Sequence, residues 1–133
     1  MSADQPAAPP RVIAAVEDLF FGARIQETAR QLGVPFRLVG SAVQAAAMAR
    51  AAAPALFIVD LNAAANPPLD VVRELRNDPA VREMTILGFC SHVQRELRAA
   101  ATEAGCDRVL ARSAFTAALP EMLRPYREAK GEA

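Results

Sequence analysis

The chain has 133 residues, enough for one hydrophobic core, and at 53% hydrophobic and 23% charged it has the composition of a globular domain. Lys and Arg balance Asp and Glu at 15 each, so no basic excess or basic block points to nucleic acid or an anionic membrane surface. No apolar run is long enough to span a bilayer, and the first residues lack the basic-then-apolar plan of a signal peptide; a cytoplasmic protein is expected.

Residues 1–10 are rich in Pro and Ala without periodicity and read as a loose leader. Val12–Val16 is strand-like. Leu19, Phe20, Ile25, Ala29 and Leu32 then share a helix face from Leu19 to Leu32, and Gly33 is placed to end that helix. Phe36–Val39 is a second short strand. Ser41 and Gln44 form a capping box for an alanine-rich helix to about Ala52, closed by Pro54. The pattern repeats with a strand at Leu56–Val59, a loop at Ala63–Pro68 and a helix at Leu69–Arg76, for which Asn66 ahead of Pro67 is a start signal. Asn77-Asp78-Pro79 breaks it. Thr85–Phe89 is the fourth strand, and Ser91 and Gln94 form a second capping box for a helix to about Ala104, stopped by Gly105. Arg108–Ala111 is the fifth strand. A last amphipathic helix is expected from about Thr116 to Tyr126, with Pro120 tolerated in its first turn, before a fraying tail at Arg127–Ala133.

Strands alternating with helices, the central strands apolar throughout, predict an α/β fold: a parallel five-stranded sheet with helices on both faces. The flavodoxin-like strand order 2-1-3-4-5 is the natural choice for five such units. That order sets the first and third strands side by side. The first ends in Glu17-Asp18 and the third in Asp60, so three carboxylates converge at the edge where open α/β sheets bind ligands. Such a cluster repels itself and invites a cation or a proton.

Other chemistries of this fold class are excluded. Glu17-Asp18-Leu19-Phe20-Phe21 is no Gly-rich phosphate loop and no Ser/Thr-rich flavin loop. Ser91, His92 and Asp60 do not make a hydrolase triad, because adjacent Ser and His at one helix start lack nucleophile–base geometry and no nucleophile elbow is present. Cys90, past the fourth strand, and Cys106, before the fifth, lie at opposite edges and read as small buried hydrophobes, not a disulfide.

From Arg11 to Tyr126 the chain resembles a receiver (response-regulator) domain of two-component signalling. The resemblance rests on the acidic pair Glu17-Asp18, on Asp60-Leu61-Asn62, on Ala104-Gly105 before the fifth strand, and on Phe115-Thr116. It implies that Asp60 accepts a phosphoryl group from a histidine kinase or phosphotransfer protein, without the chain being an enzyme in the usual sense. It implies Mg²⁺ held by the side chains of Glu17 or Asp18 and Asp60 and by the Asn62 backbone carbonyl. A cation after the fifth strand would pair with the phosphoryl oxygens, a hydroxyl after the fourth would sense them, and the last strand and last two helices would carry the signal to a downstream partner or a second copy of the chain.

Several positions depart from that pattern. Arg112-Ser113 stands in place of lysine and cis-proline, with Ala114 added before Phe115. Arginine still pairs with phosphate, but as a rigid fork and not a point charge, and without proline a trans peptide is expected. Ala63-Ala64 and Pro67-Pro68 replace the usual residues after the phosphoacceptor, so that loop must take another path. Counting back from Gly105 puts Cys90 at the hydroxyl position, and a shift of one residue puts Ser91 there. These changes support a second reading, a pseudo-receiver that binds proteins without phosphorylation. Simpler roles also stand: Asp18 as a helix cap, Ser91 as the fourth helix's cap, His92 as a surface residue, Arg112 as a solvated strand-end charge. One ring of Phe20-Phe21 is expected to lie exposed beside the acids.

Overall fold

A computed structural model describes residues 9–63, 67–91 and 94–128. In chain order it contains β1 (Val12–Ala15), α1 (Leu19–Leu32), β2 (Phe36–Val39), α2 (Ala42–Ala52), β3 (Leu56–Asp60), α3 (Pro68–Arg76), β4 (Thr85–Cys90), α4 (Arg95–Ala104), β5 (Arg108–Ala111) and α5 (Arg112–Leu123), followed by a short 3₁₀ turn at Arg124–Tyr126. The strands are all parallel in the order β2-β1-β3-β4-β5. This is the doubly wound order expected from the alternation of units. No helix among the described residues is long and apolar enough to cross a membrane.

The period-two alternation of the strands divides the interior into two cores. Ile13, Phe57, Val59 and Ile86 face α2, α3 and α4, where they meet Ala45, Ala49, Val72 and Leu75. Val12, Ala14, Ile58, Leu87 and Phe89 face the other way, onto Ile25 and Ala29 of α1 and Phe115, Leu119 and Leu123 of α5. Each large side chain among them stabilises the fold by roughly 1.5–3 kcal/mol through burial. The alanine-rich α2 buries Ala42, Ala45, Ala46 and Ala49, whose short side chains let that helix lie close to the sheet. At the opposite edge from the acids, Arg76 ties three elements together: its guanidinium donates to the carbonyls of Gly105, Arg82 and Met84 and pairs with Asp107 at 2.9 Å.

Three helix starts differ from the sequence expectation. The last helix begins at Arg112, immediately after β5, so Pro120 lies deep inside it and not in its first turn. The stripe Phe115, Leu119, Leu123 faces the core and outweighs the one backbone hydrogen bond that proline forfeits. Helix α4 begins at Arg95 with Gln94 as its cap residue and no side-chain cap bond; Ser91 is therefore not its cap. Helix α3 begins at Pro68 after Pro67, while Asn66, the expected start signal, lies outside the described residues, as does His92. Strand ends also shift by a residue: Val16 lies beyond β1, whereas Asp60 and Cys90 are the last residues of β3 and β4. Gly33 and Ser41 act as read, the first as a left-handed stop and the second accepting the Gln44 amide at 3.2 Å.

Register decides what reaches the carboxyl edge. Ala15 pairs with Val59, and Asp60 with Phe89, so the residues following β1 and the end of β3 emerge side by side. Gly88 on β4 gives Leu61 its seat: a Cβ there would lie 2.8 Å from Leu61 Cδ1. Leu61 is buried, and its amide donates to the Phe89 carbonyl at 2.8 Å, which fixes the chain just past Asp60. Gly88→Ala is expected to destabilise the protein by about 1–3 kcal/mol through overpacking, as a lower urea midpoint with unchanged slope; an unaltered midpoint would show that Leu61 gives way freely.

Candidate functional site at the carboxyl edge

Asp60 is the sole buried polar or charged residue among the described residues, at 5% exposure. Its Oδ1 accepts the Asn62 backbone amide at 2.9 Å, a turn closed by the residue two places on. Burial pushes its carboxyl above the usual carboxylate range; the Asn62 amide and the Arg112 charge oppose that shift, while the charges of Glu17 and Asp18 add to it. Two acids and one arginine thus act on Asp60, although the four residues come from three separate stretches of chain.

Asp18 serves two ends. It caps α1, its Oδ1 accepting the Phe21 amide at 3.0 Å, and its Oδ2 stands 3.4 Å from Arg112 Nη1. The Phe21 amide first, and the Arg112 guanidinium with it, hold its carboxyl below the usual range against the cost of desolvation. The capping role and the site role read from the sequence are therefore compatible. Glu17 is exposed one residue earlier.

Arg112 is not a solvated strand-end charge. Its guanidinium carbon lies 4.2 Å from the Phe21 ring centroid and 5.8 Å from that of Phe89, within the range of a cation–π contact. The two rings and Phe115 form a cluster with centroids 4.8–5.9 Å apart. Phe21 is buried at 7% exposure and Phe20 exposed at 87%, so one ring of the pair supports the arginine and the other faces solvent. The seat under Arg112 was missed in the sequence. Its components lie on α1, β4 and α5, and each aromatic reads alone as an ordinary core residue. With Ser113 and not proline after Arg112, the backbone turns helical at once, and Ala114 lies in the first turn of α5.

Asn62 and Ser91 form the other side of the site. The Asn62 side-chain oxygen accepts both the Ser91 amide at 2.6 Å and the Ser91 hydroxyl at 3.0 Å. The chain after β4 is thereby fastened to the chain after β3. Cys90 instead points into the core: it is buried, its thiol donates to the Leu110 carbonyl at 3.9 Å, and burial pushes its pKa up. Cys106 is likewise buried, with a pKa raised to about 11, and both cysteines are free.

The donor set suits a hard divalent cation in kind, since carboxylate and carbonyl oxygens are what Mg²⁺ takes. In arrangement it is not assembled. Among the described residues no group of three or more His, Cys, Asp or Glu side chains stands close enough to hold a metal ion, and both Asp18 oxygens are engaged within the protein.

No family model and no curated protein matches the sequence. Solved structures do match. The chemotaxis protein CheY4 of Vibrio cholerae superimposes with a TM-score of 0.79 at 18% identity, covering 90% of this chain and 99% of that one. The receiver domain of a Pseudomonas aeruginosa sensor histidine kinase, with magnesium in its active-site cleft, gives 0.77 at 20% identity over 90% and 98%. The phosphorylated cyanobacterial phytochrome response regulator RcpA gives 0.69 at 19% over 89% and 91%. The chain has the receiver fold. In this fold Asp18, Asp60, Ser91 and Arg112 all lie at the carboxyl ends of their strands, β1, β3, β4 and β5.

Asp60 has a folded-state pKa raised above its unfolded value. Its contribution to stability is therefore fully present below the unfolded carboxylate pKa and is lost as pH rises through the raised folded value. Asp60→Asn is expected to raise Tm at neutral pH by roughly 4 °C, about 1 kcal/mol for a domain this size. The gain should shrink as the solution is made acid. Thermal unfolding of both proteins across that range checks it, and a gap independent of pH would refute the assignment to charge.

Proposed function

We propose that the protein is a receiver-like signalling protein of a two-component phosphorelay, in which Asp60 accepts a phosphoryl group from the phosphohistidine of a kinase or phosphotransfer protein. The observation that carries this reading is the buried Asp60 carboxylate on the central strand, with Glu17, Asp18 and Arg112 all acting on its charge. The Mg²⁺-bound and phosphorylated states of structures with the same fold support it. In the transfer, an Asp60 carboxylate oxygen bonds to phosphorus as the donor's P–N bond breaks.

The residues take distinct roles. Glu17 or Asp18 together with Asp60 by side chain, and Asn62 by its backbone carbonyl, are the groups that would have to close on Mg²⁺, since no three acidic side chains among the described residues stand close enough to hold it; such an ion would offset the repulsion between carboxylate and phosphoryl oxygens. Arg112 supplies the fixed positive charge for those oxygens. Ser91, not Cys90, supplies the hydroxyl, because it stands on the exposed edge while Cys90 packs in the core. A phosphoryl group that took the Ser91 hydroxyl from Asn62 would loosen the fastening between the two loops. That exchange is a route to the face formed by α4, β5 and α5, where a downstream protein or a second copy would read the state; a few kcal/mol of bias suffices for such a switch.

A second reading, a pseudo-receiver that binds its partner regardless of phosphorylation, is favoured by the engagement of Arg112 and Asp18 with each other. Incubation with acetyl phosphate and Mg²⁺, followed by intact-mass measurement, separates the two. The wild type is expected to gain one phosphoryl group, labile to hydroxylamine, and Asp60→Asn none. A wild type that gains nothing leaves only the constitutive binding module.

A further inference from the structure

We infer that a furrow along the amino ends of the central strands is a docking seat for the chain's own leader, residues 1–8, which lie outside the described residues. Three hollows of about 460, 360 and 470 Å³ follow one another along that edge, at the end of the sheet away from Asp60. The first is lined by Pro9 and Pro10, where the described chain starts, and shares Ala53, Pro54 and Ala55 with the second. The second shares Thr85 and Tyr126 with the third, which reaches Arg108. A segment running back from Pro9 therefore enters the furrow directly.

The lining selects an extended occupant whose backbone stays in water. Pro54, Pro79 and Val81 line the second hollow, Leu56, Leu87 and Met122 the third, and the Tyr126 ring stands between them. Among the described residues the sole buried polar or charged one is Asp60, at the other edge, so the furrow lacks the convergent buried polar groups that orient a small ligand. Nor can a strand add there, because β3 and β4 are each paired on both sides. A polyproline II segment needs no backbone partner and docks in aromatic-lined grooves. Pro6, Ala7 and Ala8, leading into Pro9 and Pro10, have the composition for it.

Reach and charge agree with that placement. From β1 to β5 the sheet crosses the β1–β3, β3–β4 and β4–β5 spacings, together about 14 Å. The chain from Pro9 back to Asp4 spans about 15 Å in polyproline II form, which sets Asp4 against Arg108. Asp4 is the one charged side chain in residues 1–8. Arg108 is exposed, and no side chain among the described residues pairs with it. Glu121, beside it in the third hollow, is engaged with Arg124 at 3.1 Å. Glu128 and Glu83 line the first two hollows, where residues 5–8 would pass, and those residues carry no charge to be repelled. So seated, the leader covers an apolar edge and leaves the carboxyl edge clear.

A nitroxide attached at Ala3→Cys in the full ¹⁵N-labelled chain tests the seat, since Cys90 and Cys106 are buried and do not compete for the label. The amides of Thr85, Arg108 and Met122 are expected to broaden, and those of Leu61 and Ser91 at the carboxyl edge to stay sharp. Arg108→Glu should remove most of that broadening, and Asp4→Lys combined with Arg108→Glu should restore it, which separates loss of the ion pair from loss of the fold. Broadening spread evenly over the surface, or unmoved by Arg108→Glu, overturns the placement. Broadening of unlabelled ¹⁵N chains mixed with spin-labelled ¹⁴N chains assigns the furrow to a second copy and overturns it as well.

Discussion

The site is organised by one costly placement: a carboxylate at the end of a central parallel strand, almost wholly removed from water. Burial opposes its charge, and two further acids nearby oppose it again. Only the Asn62 amide and the Arg112 guanidinium act in its favour. Much of the rest of the edge can be understood as support for that balance. Gly88 makes room for Leu61, which fixes the chain that carries the Asn62 amide; the aromatic cluster holds the arginine.

The corner after β5 is built around an arginine. A lysine needs only a place for a point charge, whereas a guanidinium needs a surface and a planar partner. The chain supplies the surface with Phe21 and Phe89 and the partner with Asp18. The backbone responds as well, since without proline α5 starts directly at the end of β5. On the other side of the site the Asn62 side chain holds Ser91.

Periodicity, turn residues and the apolar central strands were enough to place all five strand–helix units and their order, because a buried parallel sheet leaves a plain signature of continuous apolar runs. The acids were legible for the same reason: each follows such a run directly. Boundaries were less so. Ser91 has the spacing of a capping residue, yet its hydroxyl goes to Asn62, because a side chain from the neighbouring loop competes with local helix capping. The last helix reads from about Thr116 with Pro120 in its first turn, yet it begins at Arg112 and its core-facing stripe carries it through the proline.

By itself, then, the amino-acid order determined which residues could carry charge to the sheet edge, since that depends on local pattern and on how short connections constrain topology. Tertiary structure alone decided how those charges are spent: that Asp18, a helix cap by local sequence, also faces an arginine, that Arg112 rests on two rings, and that Asn62 holds Ser91. These are contacts between groups remote in the chain, and their distances are fixed by side-chain packing across three or more elements, which no local periodicity encodes.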